Sequence, residues 1–369
     1  MAAARKAKLT NGLRKAGAGS AVARVTEAAI AMREGFPVAI RDGKRATLAF
    51  SVETIGRSAL AEVNAKARLV LTHARARTLK MRLYTPEVVA LALGPRATPE
   101  QLRAFADPTF DLAEPLKGPF EALRETLPPS FAASIKLAKL SGLLPATVVS
   151  PVGHIPSGLR SISSADIADY ERESVATLVE VTRARVPLEG AENAELVAFR
   201  AKDGGPEHYA IVVGAPAARK PVLTRLHSEC FTGDLLGSLK CDCGAQLRGA
   251  IAAIAKAGGG VLLYLAQEGR GIGLINKLRA YRLQDQGFDT HTANERLGFE
   301  PDERLYGIAA RMLSLLGYKS VRLLTNNPEK VKALRAAGIE VAARVPHRFP
   351  GNRHNRAYLK AKAQAGHLL

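Results

Sequence analysis

Residues 222–243 read Val-Leu-Thr-Arg-Leu-His-Ser-Glu-Cys-Phe-Thr-Gly-Asp-Leu-Leu-Gly-Ser-Leu-Lys-Cys-Asp-Cys and contain all three cysteines of the 369-residue chain. Three thiols within so short a stretch are typical of a metal site and not of a disulfide framework. Three protein ligands leave one position of a tetrahedral zinc ion open for water. Cys230, Cys241 and Cys243 therefore predict a zinc centre with an open position.

Arg225, His227 and Glu229 alternate along the strand predicted at residues 222–230, so we expect them to share one face that ends at the thiols. Two alternatives remain open from the residues alone. His227 could close a purely structural four-ligand site, or Cys241 and Cys243 could form a redox pair. Both alternatives more often show Cys-x-x-Cys spacing.

Three predicted helix starts carry Arg or Lys. A glycine-rich loop, residues 267–273, follows a predicted buried strand at 261–265 and contains Arg270. A second helix is predicted from residue 301 to about 316, with Asp302 as its cap and Arg304 in its first turn. Helix N-termini attract anions. Together with Thr325 and Lys330 around a third helix start, these residues predict a polyphosphate site.

The remaining periodicities alternate between helix and strand, which predicts a mixed α/β (α+β) fold of two domains. The expected divisions are a basic flexible arm at 1–22 without the apolar region of a secretory signal, a first domain at 23–172 and a second at 173–369. Predicted helices include 25–33, 86–93, 131–141, 164–172, 245–257 and 274–286, and predicted strands include 37–40, 67–72, 146–150, 175–181, 195–201, 208–213 and 320–324.

The chain carries 53 Lys and Arg against 34 Asp and Glu, a formal charge of +19, which requires an anionic partner. Aromatic residues make up only 5% and no basic stripe alternates with rings, so nucleic acid is not the expected partner. No apolar run approaches the roughly 18 residues that span a bilayer. The three cysteines are tightly grouped and odd in number, and thiolates that hold a metal survive best in a reducing compartment, which predicts the cytoplasm.

Residues 173–369 resemble GTP cyclohydrolase II, the zinc enzyme that begins riboflavin biosynthesis. The resemblance covers more than half of the chain and runs through motifs in a specific order. These are Arg225-Leu-His-Ser-Glu-Cys230, Cys241-Asp-Cys-Gly244, Gln267-Glu-Gly-Arg270, Leu283-Gln-Asp-Gln-Gly287, Leu323-Leu-Thr-Asn-Asn-Pro328 and Gly366-His-Leu-Leu369.

The resemblance implies an activity. Water on a zinc ion held by the three cysteines would attack the guanine imidazole ring of GTP. Formate and pyrophosphate would be released, giving 2,5-diamino-6-(5-phosphoribosylamino)pyrimidin-4(3H)-one. It also implies one Zn²⁺ per subunit, Mg²⁺ with the triphosphate, and a homodimer.

The resemblance implies roles for single residues as well. Asp302 matches the proton acceptor, Tyr281 a residue that orients the ring, and Arg304 the proposed nucleophile towards the α-phosphate. Because arginine stays protonated, charge stabilisation by Arg304 is an equal alternative. The implied GTP contacts are Arg225, Leu226, His227, Ser228, Glu229, Gln246, Glu268, Gly269, Arg270, Thr290, Thr325 and Lys330.

The first domain resembles, more faintly, 3,4-dihydroxy-2-butanone 4-phosphate synthase. Residues 42–47, Asp-Gly-Lys-Arg-Ala-Thr, replace the acidic loop of that family, and residues 130–132, Ser-Phe-Ala, replace its His-Thr-Glu. We therefore expect an inactive first domain. Two other functions stay open: a related enzyme that opens the ring of GTP in another pathway, and a zinc- and nucleotide-sensing protein without turnover.

Overall fold

The computed structural model of the chain describes residues 20–94, 96–202, 204–364 and 366–368. The basic arm predicted at residues 1–22 lies almost wholly outside these residues. The described chain forms two mixed sheets that share no strand, so the predicted mixed α/β class is confirmed. Within the described ranges, no helix has both the length and the apolar character needed to traverse a bilayer.

The first sheet is built from the first half of the chain. Its strands are β1 (Val38–Asp42), β2 (Arg45–Ser51), β3 (Arg68–Thr72), β4 (Val88–Ala92), β5 (Ala146–Val152) and β6 (Arg160–Ser163). Their order is β4-β3-β5-β2-β1-β6, in which β1 and β6 pair in parallel and the other neighbours are antiparallel. The helices of this half are α1 (Ala21–Arg33), α2 (Arg57–Ala61), α3 (His73–Thr78), α4 (Pro99–Ala106), α5 (Pro129–Leu140) and α6 (Ser164–Thr177).

The second sheet has the order β13-β12-β10-β11-β9-β8-β7. Its strands are β7 (Leu178–Arg185), β8 (Ala194–Ala201), β9 (His208–Val213), β10 (Val222–Ser228), β11 (Gly260–Leu265), β12 (Ser320–Leu324) and β13 (Glu340–Val345). The helices of this half are α7 (Cys243–Lys256), α8 (Gly273–Asp285), α9 (Thr290–Arg296), α10 (Tyr306–Leu315), α11 (Pro328–Ala336) and α12 (Arg356–Gln364).

The second sheet changes character at β11. Strands β7, β8, β9 and β11 are antiparallel neighbours, whereas β11, β10, β12 and β13 run parallel. From β10 the chain passes to β11 on one side and later to β12 on the other. A reversal of this kind opens a crevice outside the carboxyl end of the central strand, where ligands of such sheets bind. The loops after β10, β11 and β12 all meet there.

The two halves share an apolar core. One face of the first sheet packs, through residues such as Leu71 and Val89, in the same cluster as Leu283 of α8, Leu297 and Phe299. The opposite face of that sheet is covered by α1 and α5. Helices α10 and α11 cover one face of the second sheet and α7 the other. Helices α8 and α9 thus lie between the first sheet and the crevice.

Three predicted elements are corrected. Residues 86–93 contain the strand β4 and not a helix, because the apolar run pairs with β3 and is buried there. The strand predicted at 175–181 begins only at Leu178, since α6 continues to Thr177 from its capping box. The predicted division between residues 172 and 173 therefore falls inside α6. The helix predicted from residue 301 begins at Tyr306.

Candidate active site

The three cysteines meet where β10 ends and α7 begins. Cys230 follows the strand, a π-helical turn at Phe231–Leu235 reverses the chain, and Cys243 is the first residue of α7. Their sulfur atoms all lie within 4.8 Å of one another, and the Cys230 and Cys241 sulfurs are 3.8 Å apart. Two thiolates on a tetrahedral zinc ion, each at about 2.3 Å, are separated by about 3.8 Å. The cluster therefore fits Zn²⁺.

Gly233 lets the turn close on the sulfurs. A Cβ atom at this position would lie 2.7 Å from Cys241 Sγ and 3.0 Å from Cys230 Sγ. Lys277 Nζ lies 3.0 Å from Cys230 Sγ. Hydrogen bonds from the Cys241 and Cys243 thiols, and then from Lys277, lower the pKa of Cys230. The environment thus favours the thiolate form of Cys230, while the neighbouring sulfurs and burial raise the pKa of Cys241 and Cys243.

His227 is held by a carboxylate and is not grouped with the sulfurs. Its Nε2 lies 3.0 Å from Asp234 Oδ2, and its ring stacks on Tyr264 with centroids 5.6 Å apart. Within the described part of the chain, its buried Nδ1 has no hydrogen-bond partner. Burial lowers the pKa of His227. The geometry argues against a structural zinc site closed by His227 as fourth ligand.

Arg225 of β10 and Lys330 of α11 are two buried cations. Arg225 donates to the Leu324 carbonyl at 2.9 Å and to Gln246 Oε1, while its buried Nε has no partner among the described residues. Lys330 Nζ donates to the Leu226 carbonyl at 2.7 Å. Burial lowers the pKa of Arg225 to about 10, and burial together with Arg225 and Arg304 holds that of Lys330 well below its ordinary value. These positive charges favour an anion in the crevice.

The glycine-rich loop forms a 3₁₀ turn, Glu268–Gly271, in which Gly269 and Arg270 have φ of 62° and 64°. A left-handed backbone costs a non-glycine residue roughly 1 kcal/mol. The Gly269 amide donates to Glu268 Oε1 at 2.9 Å, so this amide is not free for a phosphate. The predicted anion contact therefore falls mainly to the Arg270 side chain, which lines the crevice.

Residues 301–305 form a loop before α10, so Asp302 is not the predicted helix cap. Its carboxylate accepts hydrogen bonds from Arg304 Nε at 2.8 Å and Nη2 at 2.6 Å, and from the Tyr306 hydroxyl at 3.0 Å. Although burial alone raises the pKa of Asp302, the Arg304 guanidinium holds it below the ordinary value. Arg304 also reaches Ser228 Oγ at 3.4 Å.

The structure brings most of the predicted site residues to one crevice. Leu226 is buried in the core, and Asp302 pairs with Arg304 but does not line the crevice. The predicted residues that line the crevice are Arg225, His227, Ser228, Glu229, Cys230, Cys241, Cys243, Gln246, Glu268, Gly269, Arg270, Tyr281, Thr290, Arg304, Thr325 and Lys330.

Sequence reasoning missed several lining residues, among them Lys277, Asn294, Tyr358, Lys362 and His367. Lys277 lies one helical turn before Tyr281 on α8, so helical spacing could have found it. No spacing signal marks the others, which reach the crevice from α9 and the C-terminal segment. Lys362 Nζ is 2.7 Å from an oxygen of Asp242, the residue between two of the cysteines.

The crevice is strongly cationic around the thiol cluster. Its lining includes two carboxylates, Glu229 and Glu268, against six cations: Arg225, Arg270, Lys277, Arg304, Lys330 and Lys362. Glu268 is bonded to Lys277 Nζ at 2.8 Å and to the Phe231 amide at 2.6 Å. Burial and the nearby Glu268 raise the pKa of Glu229. The arrangement suits a ligand with several negative charges and a part that reaches the sulfurs.

Residues 179–346 match the family model described as GTP cyclohydrolase II. The chain is 50% identical over 372 residues to a GTP cyclohydrolase-2 from Azospirillum brasilense, across 95% of each protein. It is 43% identical over 254 residues to the riboflavin biosynthesis protein RibBA from Bacillus cereus, across 64% of each. Among solved structures, the chain matches that of RibBX, a two-domain 3,4-dihydroxy-2-butanone 4-phosphate synthase from A. baumannii. The match has a TM-score of 0.34 and 16% sequence identity, and it covers 89% of this chain and 100% of RibBX.

Proposed function

This chain belongs to the GTP cyclohydrolase II family of hydrolases, and we therefore propose that it opens the guanine imidazole ring of GTP. The family places the chain among riboflavin biosynthesis proteins. The products would be formate, pyrophosphate and the diaminopyrimidine that keeps the ribosyl phosphate. One observation carries the proposal. Three thiols spaced for a metal ion and six cationic side chains line the same crevice.

The base would lie at the thiol side of the crevice. Cys230, Cys241 and Cys243 would hold Zn²⁺, which supplies an open coordination position and lowers the pKa of a water molecule bound there. Tyr281 would orient the base, and its ring has Lys240 Nζ and Lys277 Nζ at 5.1 Å and 5.7 Å from its centroid.

The triphosphate would lie at the cationic side, accompanied by Mg²⁺. Arg225, Lys330 and Arg270 would bind its oxygens by charge-assisted hydrogen bonds. Arg304 is paired with Asp302 in the structure. When Arg304 turns to the α-phosphate, Asp302 loses the partner that lowers its pKa and becomes the stronger proton acceptor. Charge stabilisation at phosphorus needs no deprotonated arginine, so we favour that role for Arg304.

The first half is proposed to have no synthase activity, with residues 23–172 as a degenerate domain and 173–369 as the catalytic one. Thr47 and Ser130, from the two segments that differ from the synthase family, share a buried hydrogen bond of 3.0 Å. Neither hydroxyl can replace the carboxylates that a divalent ion and an enediol require. Conversion of ribulose 5-phosphate by the purified protein would contradict this part of the proposal.

We also propose a cytoplasmic homodimer. The segment between the first two cysteines exposes Leu235, Leu236 and Leu239 at 71%, 65% and 58%, and α8 exposes Ile275 at 61%. Exposed apolar residues of this density favour a partner surface. Light scattering after gel filtration tests the dimer. The three cysteines form no disulfide, which supports a reducing compartment.

The test is incubation of the purified protein with GTP and Mg²⁺, with formate, pyrophosphate and the pyrimidine product measured together. We expect all three in equal amounts. Tight GTP binding and normal zinc content without formate would favour the sensor, and a different product mass would favour an enzyme of another pathway.

The variant Cys241→Ser provides the metal control. Because one of three thiolates is lost, we expect zinc content to fall below about a tenth of the wild-type value and formate release to disappear. Zinc is measured by atomic emission on the dialysed protein. Formate release that persists in this variant would overturn the zinc mechanism.

A further inference from the structure

A half-buried ion pair joins the two halves next to the crevice. Lys139, in the last turn of α5, places its Nζ 2.5 Å from Glu303 Oε1, and both side chains are 21% exposed. Glu303 lies between Asp302 and Arg304 in the loop before α10. The first half therefore contacts the loop that carries two proposed catalytic residues.

Glu303 contacts the Arg270 turn as well as its own loop. Its amide donates to the Arg270 carbonyl at 3.0 Å, and its carboxylate also accepts from the Glu300 amide at 2.8 Å. At Gly271 a Cβ atom would lie 2.6 Å from the Glu303 carbonyl oxygen. The turn that carries Arg270 and the loop that carries Arg304 are thus packed against each other through Glu303.

Helix α8 is fixed to the first half in the same way. Arg279 pairs with Glu53 at 2.8 Å and with Asp107 at 3.2 Å, and Asn276 donates to the Gly142 carbonyl at 3.2 Å. The same helix presents Lys277 and Tyr281 to the crevice. The first half thus supports the crevice at a second place, and among the ion pairs of the described residues the Lys139 pair is the one that leads directly to the phosphate-side loops.

We propose that Lys139 and Glu303 are positioning residues for ring opening. Through this ion pair, the first half holds the Arg270 turn and the Arg304 loop in the positions that bind the triphosphate. This inference rests on the proposed function. It assigns to the first half a role in the reaction that needs no chemistry of its own. Neither residue lines the crevice between Cys230 and Lys330, so both act through Arg270, Asp302 and Arg304.

The test compares Lys139→Met, Glu303→Gln and the double variant with the full-length wild type. Coupling through packed elements changes rates by about 3- to 20-fold. We expect kcat for formate release to fall by about that factor, KM for GTP to change less than about 3-fold, and the double variant to match the worse single variant, as expected of residues acting as a unit. Lys139→Arg, which keeps the charge, should restore most of kcat.

Lys136→Met is the matched control. Lys136 lies one turn earlier on α5 and pairs at 3.6 Å with Glu171 of the first half, so its loss removes the same charge from the same helix without touching Glu303. We expect wild-type kcat and KM. Zinc content and the thermal midpoint are measured on every variant to separate positioning from misfolding.

Hydrogen exchange of the peptide covering residues 299–305 provides the second readout, independent of turnover. Faster exchange in Lys139→Met than in Lys136→Met is expected. Unchanged exchange, or unchanged kcat in a folded Lys139→Met, would overturn the inference. If the wild type itself releases no formate, the proposed function fails, while the exchange comparison still reports whether Lys139 holds the loop.

Discussion

Lys330, beside β10, and Arg225, within β10, are buried, bonded to backbone carbonyls and without an ion-pair partner in the described structure. Burial of an unpaired charge is unfavourable, and the lowered pKa of Lys330 is the direct sign of it. A bound triphosphate would supply the opposite charge and make the burial of these two cations favourable. The two residues therefore lower the stability of the ligand-free protein and raise its affinity for an anion.

The variant Lys330→Met tests both effects, on affinity for GTP and on the free energy of unfolding. We expect affinity for GTP to fall by at least about 100-fold, because a buried charge-assisted contact is lost. The free energy of unfolding should stay equal or rise by up to about 2 kcal/mol. Isothermal titration calorimetry and urea denaturation measure the two quantities.

Lys332→Met is the control for Lys330→Met. Lys332 lies on the same helix, exposed and paired with Glu329, so neither quantity should change. Retained GTP affinity in Lys330→Met, or a loss of several kcal/mol of stability, would contradict the assignment of Lys330 to the phosphate site.

At the scale of elements, His208 connects the antiparallel strands to the glycine-rich turn. It lies in β9, and its Nδ1 accepts a hydrogen bond of 3.0 Å from the Ala266 amide, just after β11. Burial lowers its pKa from 6.5 to about 4. The side chain is therefore neutral in the folded protein and accepts the bond that fixes the start of the turn.

This link makes stability depend on pH. Between pH 6.5 and pH 4 the unfolded chain binds a proton at His208 that the folded protein does not, so the free energy of unfolding falls as the pH falls. From pH 7 to pH 5 we expect wild type to lose about 2 kcal/mol more than His208→Gln, whose amide oxygen can still accept the bond. Urea denaturation at both pH values measures the difference. Equal losses would place the folded-state pKa near 6.5.

Elements with a clear period were predictable from the sequence, and those decided by distant contacts were not. Helix α5, the strands β5 and β9, and the cap and proline of α11 follow from local patterns. The short apolar run of β4 fits either a helix or a strand until its partner β3 is known. Asp302 has the spacing of a helix cap, but the bonds of Glu303 and the Asp302–Arg304 pair keep residues 301–305 as a loop.

The candidate site shows the same division. The strand–thiol segment and the cationic loop ends were predictable because the ends of parallel strands meet at one edge. Lys277 contacts Cys230 Sγ and lies one helical turn before Tyr281, so helical spacing could have predicted it. Lys362 and His367 come from the last described residues, after β13, and only the tertiary fold brings them to Asp242 and the cations.

At the scale of the whole molecule, the chain is not two independent cores joined by a linker. Leu283, Leu297 and Phe299 from the second half fill one cluster with Leu71 and Val89 from the first sheet. Residues that share a packed cluster are expected to unfold together. The proposed division into residues 23–172 and 173–369 therefore describes sheets and chemistry more than separate stability.

Phe299→Ala tests this cooperativity. Phe299 is 2% exposed, so its truncation should lower the free energy of unfolding by about 3 to 5 kcal/mol. Hydrogen exchange should accelerate equally in β5 of the first sheet and β11 of the second. Phe36→Ala, at a position that is 60% exposed, should change stability by less than about 1 kcal/mol. Faster exchange in one sheet alone would mean that the halves unfold separately.

The shared cluster also bears on inheritance. Deletion of the first half would leave Leu283, Leu297 and Phe299 facing water on the back of the helices that form the crevice. A gene that lost this half in one step would encode an aggregation-prone protein, even if the first half had no chemistry of its own. Burial alone can therefore keep the first half under purifying selection whether or not it catalyses a reaction, and substitutions in it should be purged at its buried apolar positions.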